Sequence, residues 1–333
     1  MSIADNRSLG FPQWCCPFDR LNLRECQEAL ACASGHEFPA IRGVYRFTSG
    51  ETYADAFGVQ WNKYRTTQLD SHTGTTISRD RALRCMGTAL WNNLEGRNVL
   101  ECGCGAGRFT ELLLGAGARV TSVDLSNAVD ANAENCPPSP FHRIAQADIL
   151  RLPFLSGQYD IVFCLGVIQH TPRPVEAIAK LWEQVKPSGH LVIDHYSHRL
   201  SWYLRTAPLF RAVLRRLPSA AGLVWTQKLV NSLLPLHLAL RGSPMATRLF
   251  QRLSPVSSYY HVFPELPDSL QREWALLDTH DALTDWYKHW SSRRHIRNIL
   301  ARLGAEKVWC EYGGNGVEAR ALRAATTPSQ IGY

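Results

Sequence analysis

The chain is predicted to be α/β, a mostly parallel sheet with helices packed against it, and three features of the sequence carry that prediction. Residues 99–109 read Val-Leu-Glu-Cys-Gly-Cys-Gly-Ala-Gly-Arg-Phe, an apolar strand, a carboxylate and three alternate glycines. Two more apolar runs, 119–123 and 141–145, each lead to an acidic residue, Asp124 and Asp148. A fourth, Tyr-Asp-Ile-Val-Phe-Cys-Leu at 159–165, is almost continuously apolar, as a strand buried on both faces should be.

In chain order, residues 1–50 come first and carry the ligand-type residues Cys16, Asp19, Cys32 and His36. Two pairs of such residues on tight turns are how a zinc ribbon aims four ligands at one tetrahedral ion, with Asp19 here in the place of a second cysteine. The competing reading is a metal-free ribbon held by Phe38, Val44, Tyr45 and Phe47. Beside the four ligand-type residues, Cys15 and Cys26 are spare thiols. Residues 51–94 begin with an aromatic and amide-rich stretch, 53–70, that shows no clear helical stripe, and 79–94 reads as a helix leading into the first core strand.

The core follows at 95–197. Gly103, Gly105 and Gly107 let the backbone approach a ligand where a Cβ would collide, and a helix over 109–115 points its first N–H groups the same way. Dinucleotide folds space these glycines G-x-G-x-x-G. Here the spacing is G-x-G-x-G, and Arg108 takes the place of the last glycine. After the strand at 159–165 comes Gly166-Val167-Ile168-Gln169-His170, and 181–192 reads as a helix end, a Pro-Ser-Gly turn and a fifth strand.

These ordered elements, specific over residues 95 to 197, resemble the class I S-adenosylmethionine-dependent methyltransferases. The resemblance implies a Rossmann-like seven-stranded methyltransferase sheet. It also implies cofactor contacts from Glu101, Gly103, Cys104, Gly105 and Gly107, from Asp124 to the ribose, from Asp148 and Ile149 to the adenine, and from Leu125, Leu165 and Gly166. Gln60, Trp61 and Tyr64 correspond to a lid over the cofactor mouth, against the alternative that Phe57 and Trp61 only pack on the sheet. The N-terminal segment looks like the zinc ribbons that precede some methyltransferases of this type, ribosomal RNA enzymes among them.

Residues 198–268 form an insertion between strands 5 and 6. Between Asp194 and Glu265 there is no acidic residue, while Arg205, Arg211, Arg215, Arg216, Lys228, Arg241, Arg248 and Arg252 alternate with leucines and prolines. The pattern reads as short amphipathic helices covering the substrate, or as a contact for an anionic membrane, a phosphorylated substrate or RNA, or as a solvated face. Residues 269–333 complete the fold. Their acid-, His- and aromatic-rich stretch 277–290 is expected on the active-site side, followed by a helix to Leu303 and two antiparallel strands turning at 313–316.

With 333 residues and a net charge of +7, the chain is long enough for a catalytic domain with additions. It has no apolar run of roughly 18 residues and no signal-peptide core at 1–7, so a cytoplasmic protein is expected. Several of the ten cysteines lie on or beside core strands, where reduced thiols act as small hydrophobes. His170 is the first candidate for a general base, or else a structural histidine; His195, Tyr196 and His280 follow it. The expected activity is methylation of a small or carrier-linked metabolite, on O or N, such as a saccharide or secondary metabolite. The absence of an Asn/Asp-Pro-Pro-aromatic motif after strand four disfavours base amines. Ring-nitrogen methylation of RNA is the alternative enzyme reading, and a non-catalytic S-adenosylmethionine-binding scaffold the alternative of another class. Sequence leaves oligomeric state open.

Overall fold

The structure is a computed structural model and describes residues 10–198 and 206–325. Arg205 of the basic insertion and the start of the chain lie outside those residues. The sheet is built on β5 (Asn98–Cys102), β6 (Arg119–Asp124), β7 (His142–Gln146), β8 (Tyr159–Cys164) and β9 (Val185–His195), completed by β10 (Ala305–Tyr312) and β11 (Val317–Arg323). These seven lie in the order β7-β6-β5-β8-β9-β11-β10. The first five are parallel, and β11 enters antiparallel between β9 and β10. Because β6 lies on one side of β5 and β8 on the other, the chain reverses its winding there. An open α/β sheet binds its ligand at the carboxyl ends of the strands flanking that reversal.

The expected seven strands are present, but the hydrogen-bonded sheet has eleven. The N-terminal ribbon, β1 (Arg24–Cys26), β2 (Ala29–Ala31), β3 (Glu37–Ile41) and β4 (Val44–Arg46), extends the sheet beyond β7. β4 runs parallel to β7, with Tyr45 opposite Ala145 and Arg46 opposite Gln146. Tyr45 and Phe47 thereby join the same buried cluster as Leu100, Val123 and Val162. A separate ribbon would have left a sheet edge bare; fusing it covers the outer edge of β7.

Two local expectations give way to tertiary constraints. The turn expected at Pro-Ser-Gly is absorbed into β9, where Ser188 takes φ 60° and the register with β8 shifts between Tyr159 and Ile161. Turn-forming residues here make a bulge. The lead-in helix expected over 79–94 is split into Ile77–Met86 and Thr88–Trp91 at Gly87, whose φ is 77° and whose Cβ, if present, would stand 2.8 Å from the Arg320 guanidinium carbon.

The insertion between β9 and β10 is helical, as expected: Ala207–Leu214, Ser219–Ala239 and Pro244–Leu253, followed by Asp268–Thr284. Prolines open all four, directly preceding Ser219 and Asp268 and occupying the first turns at Pro208 and Pro244, where a missing N–H costs nothing. Pro235 does not break its segment. It lies inside a 21-residue helix whose Val230 and Leu234 bury against Val256, Ala275 and Leu276. No helix among the described residues is long and apolar enough to cross a membrane, and no cysteine is in a disulfide.

Candidate active site

A cavity of about 1130 Å³ opens at the carboxyl ends of β5, β6 and β8, beneath the helix Asp268–Thr284. Its floor is the glycine loop. Gly103, with φ 75°, leaves no room for a side chain: a Cβ would lie 2.1 Å from a methyl of Val167. Gly105 faces the Trp61 ring, which a Cβ would meet at 3.3 Å. Asp124, ending β6, turns back over this loop; its Oδ2 accepts the Gly105 N–H at 3.0 Å and its Oδ1 accepts Ser126 N–H and hydroxyl at 2.8 and 2.7 Å. Burial raises its carboxyl above the usual range against those donated bonds.

Of the residues expected at the cofactor, Gly103, Cys104, Gly105, Asp124, Leu125, Ile149, Leu165, Gly166 and Trp61 line this cavity. The others are placed elsewhere. Gly107 approaches Asn132 and the Cys136 sulfur, which a Cβ would meet at 3.3 Å. Asp148 caps the short 3-10 turn Ile149–Arg151, its Oδ1 accepting Leu150 N–H at 2.9 Å.

Glu101 is 1% exposed and lies beneath the loop, where its Oε2 accepts the hydroxyls of Thr110 at 2.6 Å and Ser122 at 2.9 Å. Its other oxygen has no hydrogen-bond partner, and burial pushes its pKa up to about 7. It supports the loop from below and does not face the cavity.

The lid residues divide in the same way. Gln60 and Trp61 fall on a helix, Asp55–Lys63, whose weak stripe hid it from the sequence pattern, and Tyr64 directly follows it. Trp61 reaches the cavity. Gln60 is buried and accepts from His280 Nδ1 at 2.7 Å. Tyr64 accepts from Gln227 at 2.8 Å and packs beside Val230 and Leu234 of the insertion.

His170 sits on the 3-10 turn Ile168–His170 after β8, 5% exposed and on the cavity wall. Its Nδ1 lies 3.1 Å from Asp285 Oδ2 and 3.2 Å from the Tyr287 carbonyl. Both neighbours can only accept, so Nδ1 carries a proton. Nε2 makes no hydrogen bond; Asp281 Oδ1 stands 3.8 Å away. Burial and the Asp285 charge raise the Asp281 carboxyl.

The other candidate bases are placed differently. His195 is 2% exposed and donates from Nδ1 to the Tyr196 carbonyl at 3.0 Å. His280 is fully buried, and burial pulls its pKa down to about 4. Tyr196 does reach the cavity, and burial holds its hydroxyl far above the ordinary phenol range, so it remains a donor.

The stretch 277–290 contributes Leu277, Asp278, Asp281, Ala282, Lys288 and Trp290 to the wall, as its composition suggested. Sequence reading missed three other elements. Arg81 pairs with buried Asp194, whose Oδ1 also accepts the Gly166 N–H at 2.6 Å. Arg108, in the place of the absent glycine, donates to Ser78 at 2.8 Å and Gln68 at 2.6 Å. Arg211 of the insertion reaches inward to Asp285 at 2.6 Å.

At the N-terminus the side chains of Cys16, Asp19, Cys32 and His36 meet in one cluster. Other basic residues of the insertion make local contacts. Arg215 lies over Trp286, and Arg216 donates to the Ala212 carbonyl.

Residues 100–193 match the family model described as a methyltransferase domain. The chain is 26% identical to the ubiquinone biosynthesis O-methyltransferase of Marinobacter nauticus, over 50% of this chain and 72% of that protein. It is 31% identical to the mitochondrial enzyme of the same description from Schizosaccharomyces pombe, over 38% of this chain and 48% of that one. The chain thus spans about half the length of the second relative and most of the first. Among solved structures, magnesium protoporphyrin IX methyltransferase from Synechocystis with bound SAH superposes with a TM-score of 0.43 at 17% identity, covering 82% of this chain and 97% of that one. Residues 100–193 are a methyltransferase domain, the part of the chain that the family model covers.

Proposed function

We propose that this methyltransferase acts on a hydroxyl group of a small, ring-bearing metabolite, with His170 as the base. The observation that carries the reading is the His170 ring itself. Nδ1 is held by Asp285 and the Tyr287 carbonyl, and Nε2 is left unbonded on the cavity wall. A hydroxyl nucleophile gains from such a base, whereas a neutral amine does not need one for attack.

The residues present suit the cofactor. Asp124 offers a carboxylate at the end of β6, the position that receives a ribose diol in this architecture. The bare backbone at Gly103 and Gly105 allows close approach, and Leu125, Ile149 and Leu165 supply apolar walls. S-adenosylmethionine, when bound, supplies a methyl group already activated on a sulfonium. The protein's work is then alignment, which can contribute roughly 7 to 11 kcal/mol, and removal of one proton.

In the proposed reaction His170 Nε2 takes the acceptor's hydroxyl proton as the oxygen–carbon bond forms and the carbon–sulfur bond breaks. Asp285 and Asp281 stabilise the imidazolium that results. Tyr259, Phe263, Trp274 and Trp290 give the acceptor half an aromatic lining, which supports a flat, ring-bearing molecule. The curated relatives, described as O-methyltransferases of ubiquinone biosynthesis, support the same class of acceptor atom.

The test measures S-adenosylhomocysteine release with a panel of phenols, catechols, sugars and amines. Replacing His170 by Ala should lower kcat on the preferred hydroxyl acceptor about 10²- to 10⁴-fold, while cofactor affinity stays within about twofold. Turnover confined to amines, or a hydroxyl acceptor indifferent to His170→Ala, would overturn the proposal.

A further inference from the structure

We propose that Cys16, Asp19, Cys32 and His36 form a structural zinc site, and that this site braces the Ile149 wall of the cofactor cavity. The first half stands independently; the second rests on the cofactor reading above.

The geometry centres on His36. Its Nδ1 lies 3.5 Å from Cys16 Sγ, 3.3 Å from Cys32 Sγ and 3.2 Å from Asp19 Oδ2, and Cys32 Sγ lies 3.2 Å from the same oxygen. A tetrahedral zinc with bonds of about 2.0 to 2.3 Å has edges of about 3.5 Å between its ligand atoms. Hydrogen bonding alone accounts for the cluster poorly. One ring nitrogen can donate one proton, yet two sulfurs and a carboxylate oxygen surround it, as around a shared cation.

Each pair of ligands comes from a tight turn. Cys16 N–H donates to the Leu21 carbonyl at 2.8 Å and Arg20 N–H to the Cys16 carbonyl at 3.0 Å, closing the first. Cys32 N–H donates to the His36 carbonyl at 3.0 Å, closing the second, in which Gly35 takes φ 88°. Asp19 Oδ1 accepts Leu21 N–H at 3.0 Å, which leaves Oδ2 as a single directed ligand. Cys16 and Cys32 are buried, as the thiolates of a closed structural site should be.

The knuckle is also tied to the cavity wall. Arg20, beside Asp19, donates to the Leu152 carbonyl at 2.9 Å and to the Phe154 carbonyl. Cys15 N–H donates to the Pro153 carbonyl at 2.9 Å, and Trp14 stacks on Phe154 at 4.9 Å. Residues 152–154 directly follow the turn Ile149–Arg151, and Ile149 lines the cavity. An ordered knuckle therefore fixes the segment that positions the wall.

The experiment uses the full chain, purified without chelator and dialysed. Elemental analysis should find about one zinc per chain. Cys32→Ser and Asp19→Ala should lose it, whereas Asp19→Cys, supplying a third thiolate, should keep it. Stripping the wild type with a chelator should weaken S-adenosylhomocysteine binding by calorimetry about tenfold, the size of one lost positioned contact, and zinc but not magnesium should restore it. Arg20→Gln should keep the metal yet show the weaker binding. A wild type without zinc, or a Cys32→Ser variant that retains it, overturns the site. Zinc present with unchanged ligand affinity after stripping overturns the bracing role. Zinc bound with no S-adenosylhomocysteine binding at any stage would count against the cofactor reading and leave the metal site intact.

Discussion

Glu101 offers the most quantitative test of how the glycine loop is held. Its carboxyl is wholly buried, and its pKa is pushed up to about 7 from 4.5, chiefly by burial and against two donated hydroxyls from Thr110 and Ser122. A carboxylate raised in the folded state prefers its proton there. Its contribution to stability is complete below the unfolded pKa and is lost as pH rises through the folded one. Integrating that proton linkage for pKa values of 4.5 and about 7 gives a loss of about 2 to 3 kcal/mol between pH 5 and pH 8. Glu101→Gln removes the titration while keeping a planar group of the same size. Urea midpoints of wild type and variant at half-unit pH steps should converge toward pH 5 and separate toward pH 8, where the variant is favoured by that difference. Other buried carboxylates, such as Asp278 with a pKa of about 6, titrate in both proteins and cancel in the comparison. Parallel profiles from pH 5 to 8 would show that Glu101 is ionised throughout and that the loop is held in some other way.

Two further substitutions test the cavity. Asp124→Ala should weaken S-adenosylhomocysteine binding by about 1 to 3 kcal/mol in calorimetry, because it removes the candidate diol acceptor and frees the N–H groups of Gly105 and Ser126. Gly58→Ala places a Cβ 1.9 Å from Asn127 Oδ1 and 3.2 Å from its backbone nitrogen, so the helix Asp55–Lys63 must shift. The expected cost is about 1 to 3 kcal/mol, read as a lower melting temperature and faster proteolysis between residues 50 and 70; an unchanged melt would mean that this helix is not seated on Asn127.

The features legible in the sequence were those whose cause is local. The apolar strand runs and the spacing of Gly103, Gly105 and Gly107 depend on neighbours within a few residues. Features set by distant partners were not legible. Glu101 looked like a ligand contact because of its place before the glycines, but Ser122 and Thr110 draw it under the loop. Tyr64 sits in a lid-like stretch, yet Gln227 of a later helix takes its hydroxyl. Gly316 reads as a turn glycine; in the fold its missing Cβ is what lets the backbone pass the His195 carbonyl, which a Cβ would meet at 2.4 Å.

The basic insertion shows the same limit and changes what its charge means. Arg211 is not spent on solvent. It faces Asp285 at 2.6 Å, with Lys288 at 3.0 Å and His170 at 3.1 Å on the same carboxylate. Against burial, Lys288, His170 and Arg211 hold Asp285 below the usual carboxylate range, whereas Asp281, one helical turn earlier, is raised. Two carboxylates pushed apart in this way, one on each side of a single imidazole, are what the proposed acid–base role of His170 calls for. Asp285 stays charged and fixes the Nδ1 proton. Asp281, opposite Nε2, is the group more ready to take up a proton, so in the proposed reaction it offers a route by which a proton taken from the acceptor leaves His170 before the next turnover. The insertion therefore reaches the wall of the cavity: Arg211 adds its charge to those of Lys288 and His170 around the carboxylate that faces the proposed base.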